Sequence, residues 1–194
     1  MSNYRETISN EELNELPPGA FDGEIVVVDD KETMKAAYSH LSCCTVIGFD
    51  TETRPSFQKG KLNVMSLVQL SSESKAFLFR LNKIPLSRKI ISIFENEKIV
   101  KVGASIRDDI KGIQKQSPFK VAGFVDIQSI VHQYGIHDLS VRKVSAIVLG
   151  IRISKAQRLS NWEAQSLTPA QQLYAATDAW TCREIYLQLT QHGK

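Results

Sequence analysis

Three separate stretches of this chain place a carboxylate where the local periodicity calls for an apolar side chain. That conflict limits the possible folds and sites more than any other feature. Asp and Glu are rarely buried unless something compensates their charge, so inward-facing acids on several elements imply a shared counter-charge. In Val46-Ile47-Gly48-Phe49-Asp50-Thr51-Glu52-Thr53, an extended backbone sends alternate side chains to opposite faces, so Asp50 and Glu52 share one face about 7 Å apart. Two carboxylates at the end of an apolar run repel, and a divalent cation between them removes that repulsion. An isolated Asp-x-Glu is common, and by itself reads equally as a strand running out into a polar loop.

The second stretch is Ser105-Ile106-Arg107-Asp108-Asp109-Ile110-Lys111-Gly112-Ile113. Ile106, Ile110 and Ile113 form the i, i+4, i+7 stripe of an amphipathic helix. Asp109 falls inside the stripe at i+3, whereas Asp108 lies beside it in the first turn, where an acid favours the positive helix end. The third stretch begins at Thr168-Pro169-Ala170-Gln171, a capping box with proline at the first helical position. Downstream, Ala175, Ala179, Cys182, Ile185, Tyr186 and Leu189 form one apolar stripe with Asp178 in its middle. Tyr174 lies one turn before Asp178 and reaches the same region. Taken singly, each acid has a bland alternative in solvent exposure or a buried backbone partner. Together, four inward carboxylates suit two oxygen-loving divalent cations, Mg²⁺ or Mn²⁺. His40, His132 and His137 show no ligand spacing.

The rest of the chain supplies a scaffold. Strands are expected over 24–28, 45–53, 64–70, 76–81 and 99–103, and a hairpin-like loop at 71–74. Helices are expected over 33–41, 87–94, 105–115, 126–134, 140–149 and 168–191. This order predicts an α/β fold, a mixed sheet of five to six strands flanked by helices. Residues 1–23 read as a polar N-terminal extension with a short helix near 10–16, closed by Pro17-Pro18-Gly19, and 24–194 as one domain. The longest irregular stretch, 150–167, precedes the last helix, and long loops often carry function.

With 42% hydrophobic and 23% charged residues over 194, the composition is that of a water-soluble globular domain. A net charge of +3 permits a polyanionic partner without demanding one. Cys43, Cys44 and Cys182 are odd in number and lack a C-x-x-C spacing, which favours buried free thiols in a reducing compartment. No apolar run is long enough to span a bilayer, and the acid-bearing N-terminus does not resemble a secretory signal. The expected location is cytoplasmic, with no membrane association.

The same residues resemble a known family. Phe49-Asp50-Thr51-Glu52-Thr53 resembles the first motif of the DEDD superfamily of 3′→5′ exonucleases. The stretch 101–109, ending at Asp109, resembles the second motif. Tyr174-Ala175-Ala176-Thr177-Asp178 resembles the third, in the subgroup with tyrosine four residues before the acid. The likeness covers about 24–189 and is similar to the Werner syndrome and ribonuclease D types, with Arg158-Leu159-Ser160-Asn161-Trp162 also of the Werner type.

The resemblance implies a ribonuclease-H-like fold. It implies phosphodiester hydrolysis from the 3′ end of DNA or RNA by two metal ions, releasing nucleoside 5′-monophosphates. Asp50, Glu52, Asp109 and Asp178 are then the metal ligands, with Asp50 shared between ions and Tyr174 positioning water. Thr51, Met65, Lys155 and Arg158 are candidate substrate contacts, Met65 with Leu67 as a wedge beside the terminal base. Arg54, Lys59 and Lys61 are further cations near the first motif, and Trp162 is expected in the core. A non-catalytic nucleic-acid-binding module of the same fold is the main alternative, and loss of an acid would signal it. A phosphohydrolase of small esters and an assembly role are others.

Overall fold

The computed structural model describes residues 4–55 and 64–191. Six strands form one mixed sheet: β1 (Glu24–Val28), β2 (Val46–Thr53), β3 (Met65–Ser71), β4 (Lys75–Arg80), β5 (Val100–Gly103) and β6 (Phe124–Asp126), in the spatial order β1-β4-β3-β2-β5-β6. β2, β3 and β4 form an antiparallel meander, while β1 pairs parallel with β4, and β5 parallel with both β2 and β6. The sixth strand was not expected as a separate element. It has three residues, too few for an alternation pattern to register, and it lies where a helix was expected to begin at 126. That helix is a short α-turn, α5 (Ile127–Ile130), followed by a 3₁₀ turn (Val131–Tyr134) that ends on Gly135 at φ 74°.

The pleat divides β2 cleanly. Ile47 and Phe49 join the core on one face, with Val68, Leu70, Phe77 and Phe79. That face is covered by α2 (Lys31–Leu41), α3 (Arg88–Phe94) and α4 (Arg107–Gln116) through Met34, Leu41, Ile90, Phe94, Ile110 and Ile113. The opposite face is covered by α6 (Val141–Leu149) and the long α7 (Pro169–Gln191), with Val102, Leu67, Leu78 and Ala76 packed beneath them. Gly48, Asp50 and Glu52 belong to this second face by alternation. Trp162 is fully buried there, against Tyr174.

Residues 4–23 are anchored to this body rather than trailing from it. Helix α1 (Asn10–Glu15) has a full capping box: the Glu12 amide donates to Ser9 Oγ and the Ser9 amide to Glu12 Oε2. Ile8 and Leu13 bury against Ala146 of α6, and Phe21 against Ala76 and Ala176. Main-chain bonds from Gly19 to the Arg152 carbonyl, and from Arg152 to the Pro17 carbonyl, stitch this segment to the loop after α6. The short helix expected near 10–16 is present as α1, while the three apolar anchors, Ile8, Leu13 and Phe21, follow no period that marks them as buried in an otherwise polar segment. Of the cysteines, Cys182 is buried, Cys44 partly so, and Cys43 exposed, so the expectation of three buried thiols holds for one. No helix among the described residues is long and apolar enough to cross a membrane.

Gly48 governs how closely the sheet and α7 approach. A Cβ there would sit 1.8 Å from the Ala179 carbonyl oxygen, a main-chain atom that cannot rotate away. Gly48→Ala is therefore expected to destabilise the fold by about 3 kcal/mol or more, as overpacking against backbone does, and to push α7 off the sheet. Urea denaturation monitored by tryptophan fluorescence would measure it; a loss below 1 kcal/mol would contradict this contact.

Candidate active site

Helix α7 starts as its sequence dictates. The Gln171 amide donates to Thr168 Oγ1 and the Thr168 amide to Gln171 Oε1, closing the capping box. Lying directly on Gly48, the helix delivers Asp178 to the end of β2, where Asp50 and Glu52 project from the same face. Oxygen atoms of Asp50, Glu52 and Asp178 all come within 4.8 Å of one another. No Lys, Arg or His forms an ion pair with these three among the described residues.

The electrostatic consequence is unfavourable for the bare protein. Burial, followed by the charge of neighbouring acids, pushes the Asp50 carboxyl well above the usual carboxylate range. Burial and the charges of Asp178 and Asp109 raise Glu52 to about 8. Burial raises Asp178 to about 7, against the opposing effects of a hydrogen bond from Tyr174 and the charge of Lys155. Tyr174 is 9% exposed, and burial with the surrounding acids raises its phenol, so the hydroxyl stays protonated and acts as a donor.

Asp109 reaches the site from the other side of the sheet. It sits in the first turn of α4, partly buried, while Asp108 is 91% exposed and pairs with Lys111. Asp109 Oδ1 accepts a hydrogen bond of 2.5 Å from the Thr51 hydroxyl. Thr51 alternates with Asp50 and Glu52, so the pleat splits the first motif: its acids face α7 and its hydroxyl faces α4. Burial raises the Asp109 carboxyl despite that bond. Asp109 is outside the three-carboxylate group at 4.8 Å.

The start of α4 is held by a residue that the sequence reading did not select. Ser105 adopts a left-handed backbone at φ 57°, unusual for a residue with a side chain. Asp126, the last residue of β6, accepts from the Ser105 amide through Oδ1 and from the Ile106 amide through Oδ2, and also caps α5 at Gln128. One carboxylate thus secures the turn that aims Asp109. The available sequence signal was an aspartate two residues before Gln128, the pattern of an N-cap, read there only as a helix start.

A cleft of about 170 Å³ opens over the acids, lined by Asp50, Tyr174 and Asp178, with Lys155, Arg158 and Arg142. Lys155 acts electrostatically on Asp178, and Arg158 on Glu52, so both candidate phosphate contacts face the acids. Arg142 of α6 was missed because it lies on a helix with no acidic motif.

Met65 is placed differently from the expected wedge. The register of β2 and β3 shifts between Glu52 and Thr53, and Met65 is 9% exposed in the core beneath α4, beside Gly112. Leu67, its expected companion, is fully buried under Trp162 and Tyr174. Arg54 pairs with Glu163 at 3.3 Å. Lys59 and Lys61 lie outside the described residues.

A family model for 3′-5′ exonucleases matches residues 25–194. The chain is 32% identical over 159 residues to the mouse (Mus musculus) bifunctional 3′-5′ exonuclease/ATP-dependent helicase WRN, spanning 79% of this chain and 11% of that protein. It is 31% identical over 157 residues to the Drosophila melanogaster exonuclease 3′-5′ domain-containing protein 2, spanning 78% of this chain and 26% of that one. The chain thus covers between about a tenth and a quarter of the length of these relatives. Among solved structures, the Aedes aegypti Nibbler EXO domain superposes with a TM-score of 0.75 at 25% identity, over 89% of this chain and 93% of that one. The Trypanosoma brucei RNase D complex with RNA shares the fold, with a TM-score of 0.73 at 23% identity over 96% and 65% of the two chains. With an acid cluster at the end of β2 and a match running from the first strand to the last helix, the chain belongs to the 3′-5′ exonuclease family.

Proposed function

We propose that this chain is a divalent-metal-dependent 3′→5′ exonuclease that removes nucleotides one at a time from DNA or RNA and releases nucleoside 5′-monophosphates. The observation that carries this reading is the group of three carboxylates within 4.8 Å, two of which, Asp50 and Asp178, line an open cleft, and none of which has an ion-paired cation among the described residues. The donor set fits a hard cation: its ligand atoms are all carboxylate oxygens.

Asp50, whose carboxyl feels the charge of all three other acids, would help to hold both ions. Glu52 and Asp178 would complete the set for one ion, and Asp109 would help to hold the other. Mg²⁺ and Mn²⁺ are the candidate ions; a related EXD2 exonuclease domain, 26% identical, was crystallised soaked in Mn. Bound cations would neutralise charge at the scissile phosphate and lower the pKa of the attacking water. The protein's own groups supply the rest. Tyr174 donates its hydroxyl to the Asp178 carboxylate, which leaves its oxygen to accept from and orient a water, and it is no base. Lys155 and Arg158 draw the phosphate toward the acids, and Thr51 fixes the rotamer of Asp109. In the overall reaction the water oxygen bonds to phosphorus, the bond to the 3′ oxygen breaks, and that oxygen leaves protonated.

The decisive assay uses 5′-labelled DNA and RNA with Mg²⁺, Mn²⁺ or EDTA. A ladder shortening from the 3′ end is expected with metal alone; internal cuts, or no cleavage under any condition, would overturn the reading. Thr51→Val is expected to lower kcat by about 2–10-fold, the value of one hydrogen bond of 0.5–1.5 kcal/mol, with KM little changed. Single-turnover rates on the same oligonucleotide would check it, and an unaltered rate would remove Thr51 from the site.

A further inference from the structure

The cleft over the acids adjoins a second, larger basic groove of about 510 Å³. The two share Arg142, Ile153, Ser154 and Lys155. The groove adds Arg152, and no Asp or Glu lines it. Arg152 and Lys155 form no ion pair among the described residues, and Arg142 is held by Asn14 of α1 at 3.2 Å. Three cations without an acid, in a protein of net charge only +3, are a local excess of positive charge.

The opposite wall is Pro18, Gly19 and Ala20. These residues precede the family match, which begins at 25. They are seated firmly: Arg152 bonds both Pro17 and Gly19 through its main chain, and the Phe21 amide donates to Thr177 Oγ1 on α7. Gly19 has no room for a side chain, since a Cβ would lie 2.4 Å from Ile151 Cδ1. The segment is therefore a built wall of the groove, and α1 also orients one of its cations.

We infer that this groove carries the nucleotides 5′ to the scissile bond, as a single strand held by its phosphates, with the N-terminal segment as one wall. The inference rests on the exonuclease reading for the direction of the strand. An enzyme that consumes a polymer from its end must seat the last nucleotide at the acids and let the remainder leave the cleft, and this groove adjoins the cleft along the shared wall of Arg142 and residues 153–155. No aromatic side chain lines it, so backbone charge rather than base stacking provides the grip, and binding is insensitive to sequence. A duplex would present phosphates on two strands, whereas the three cations of this groove form one basic patch beside the acids.

The test is fluorescence anisotropy with a 5′-fluorescein 12-nucleotide oligothymidylate, with a labelled dinucleotide as the short probe. The full chain is used in EDTA, so that no hydrolysis intervenes. The Arg142→Gln/Arg152→Gln double variant is expected to weaken 12-mer binding about tenfold at low salt. It should also reduce the slope of log Kd against log salt by about 1.4, two cations at 0.7 each. For Arg152→Gln alone, whose side chain lines the groove and not the acid cleft, dinucleotide binding should change less than twofold. Lys98→Glu, exposed just before β5, is the charge control and should change neither.

Arg152→Gln alone, which keeps every main-chain bond to Pro17 and Gly19, guards against misfolding of the double variant and should give about half the slope change. Equal 12-mer binding by wild type and both variants would overturn the groove, as would a wild type that binds the 12-mer no tighter than the dinucleotide. Preference for a duplex competitor would overturn the single-strand assignment. A 3′→5′ ladder together with variant-insensitive binding sinks the groove alone. Intact length-dependent binding without a ladder sinks the exonuclease reading alone.

Discussion

Asp178→Ala is expected to abolish hydrolysis and, with no divalent ion present, to raise the melting temperature. The two effects have one cause. Asp178 lies within 4.8 Å of two other carboxylates, with no ion-paired cation to offset them. Once the three are deprotonated in the bare protein, their mutual repulsion outweighs the Tyr174 hydrogen bond and the Lys155 charge that favour Asp178, so deleting one member relieves the other two. Each 1 kcal/mol relieved raises the midpoint by about 2–4 °C in a domain of this size, less the small loss of packing on α7. For catalysis the same deletion removes part of the cation's holding set. Losing several kcal/mol of transition-state charge stabilisation slows turnover by about a thousandfold or more. Thermal melts in EDTA and labelled-oligonucleotide ladders in Mn²⁺ read the two halves separately. More than 1% residual activity would remove Asp178 from the site, and a lowered melting temperature would show that the acids are not repelling.

The second large effect is on pH. Metal-free protein is expected to lose stability as pH rises from about 5 to 8, opposite to the usual behaviour of paired carboxylates. Unfolded Asp and Glu titrate near 4, whereas Asp178 titrates at about 7 and Glu52 at about 8 in the fold, and Asp50 is also raised. Between these limits the folded state keeps protons that the unfolded chain has shed. Stability therefore falls with rising pH through that window. A divalent ion needs the deprotonated ligands, so its affinity rises across the same window and protons are released on binding. Added Mn²⁺ should restore the melting temperature more at pH 8 than at pH 6. A metal-free profile flat between pH 5 and 8, or an equal metal effect at both ends, would contradict the shared burial of these acids.

The parts of the site written in a regular period were legible in the sequence. Asp50 and Glu52 follow from the alternation of a single strand, and Asp109 over Asp108 follows from an isoleucine stripe. The structure agrees with both at the level of placement, with Asp108 open to solvent and Asp109 turned toward Thr51. Features arising from contacts distant in sequence were not legible. The β2–β3 register shift that accompanies Met65 on the α4 side has no local signature, because a bulge is defined by two strands and not one. Asp126 holding Ser105 spans 21 residues, and the seat of Phe21 on Thr177 spans 156. The short strand β6 exists because β5 offers an unpaired edge, and three residues suffice to pair with it.

The contact between Gly48 and α7 has a mechanical meaning. A separation set by two main chains touching is a one-way stop. The helix cannot move closer to the sheet, whereas lifting is resisted by softer contacts, namely buried side chains and the Arg183 Nε bond to the Val46 carbonyl. Thermal breathing can therefore spread the carboxylates but not crush them together. Like-charge repulsion in the bare protein pushes in the direction the stop leaves free, and a cation bound between strand and helix pulls against it. An ion held there by Asp50, Glu52 and Asp178 would draw helix and strand together against a minimum gap that the backbone already sets.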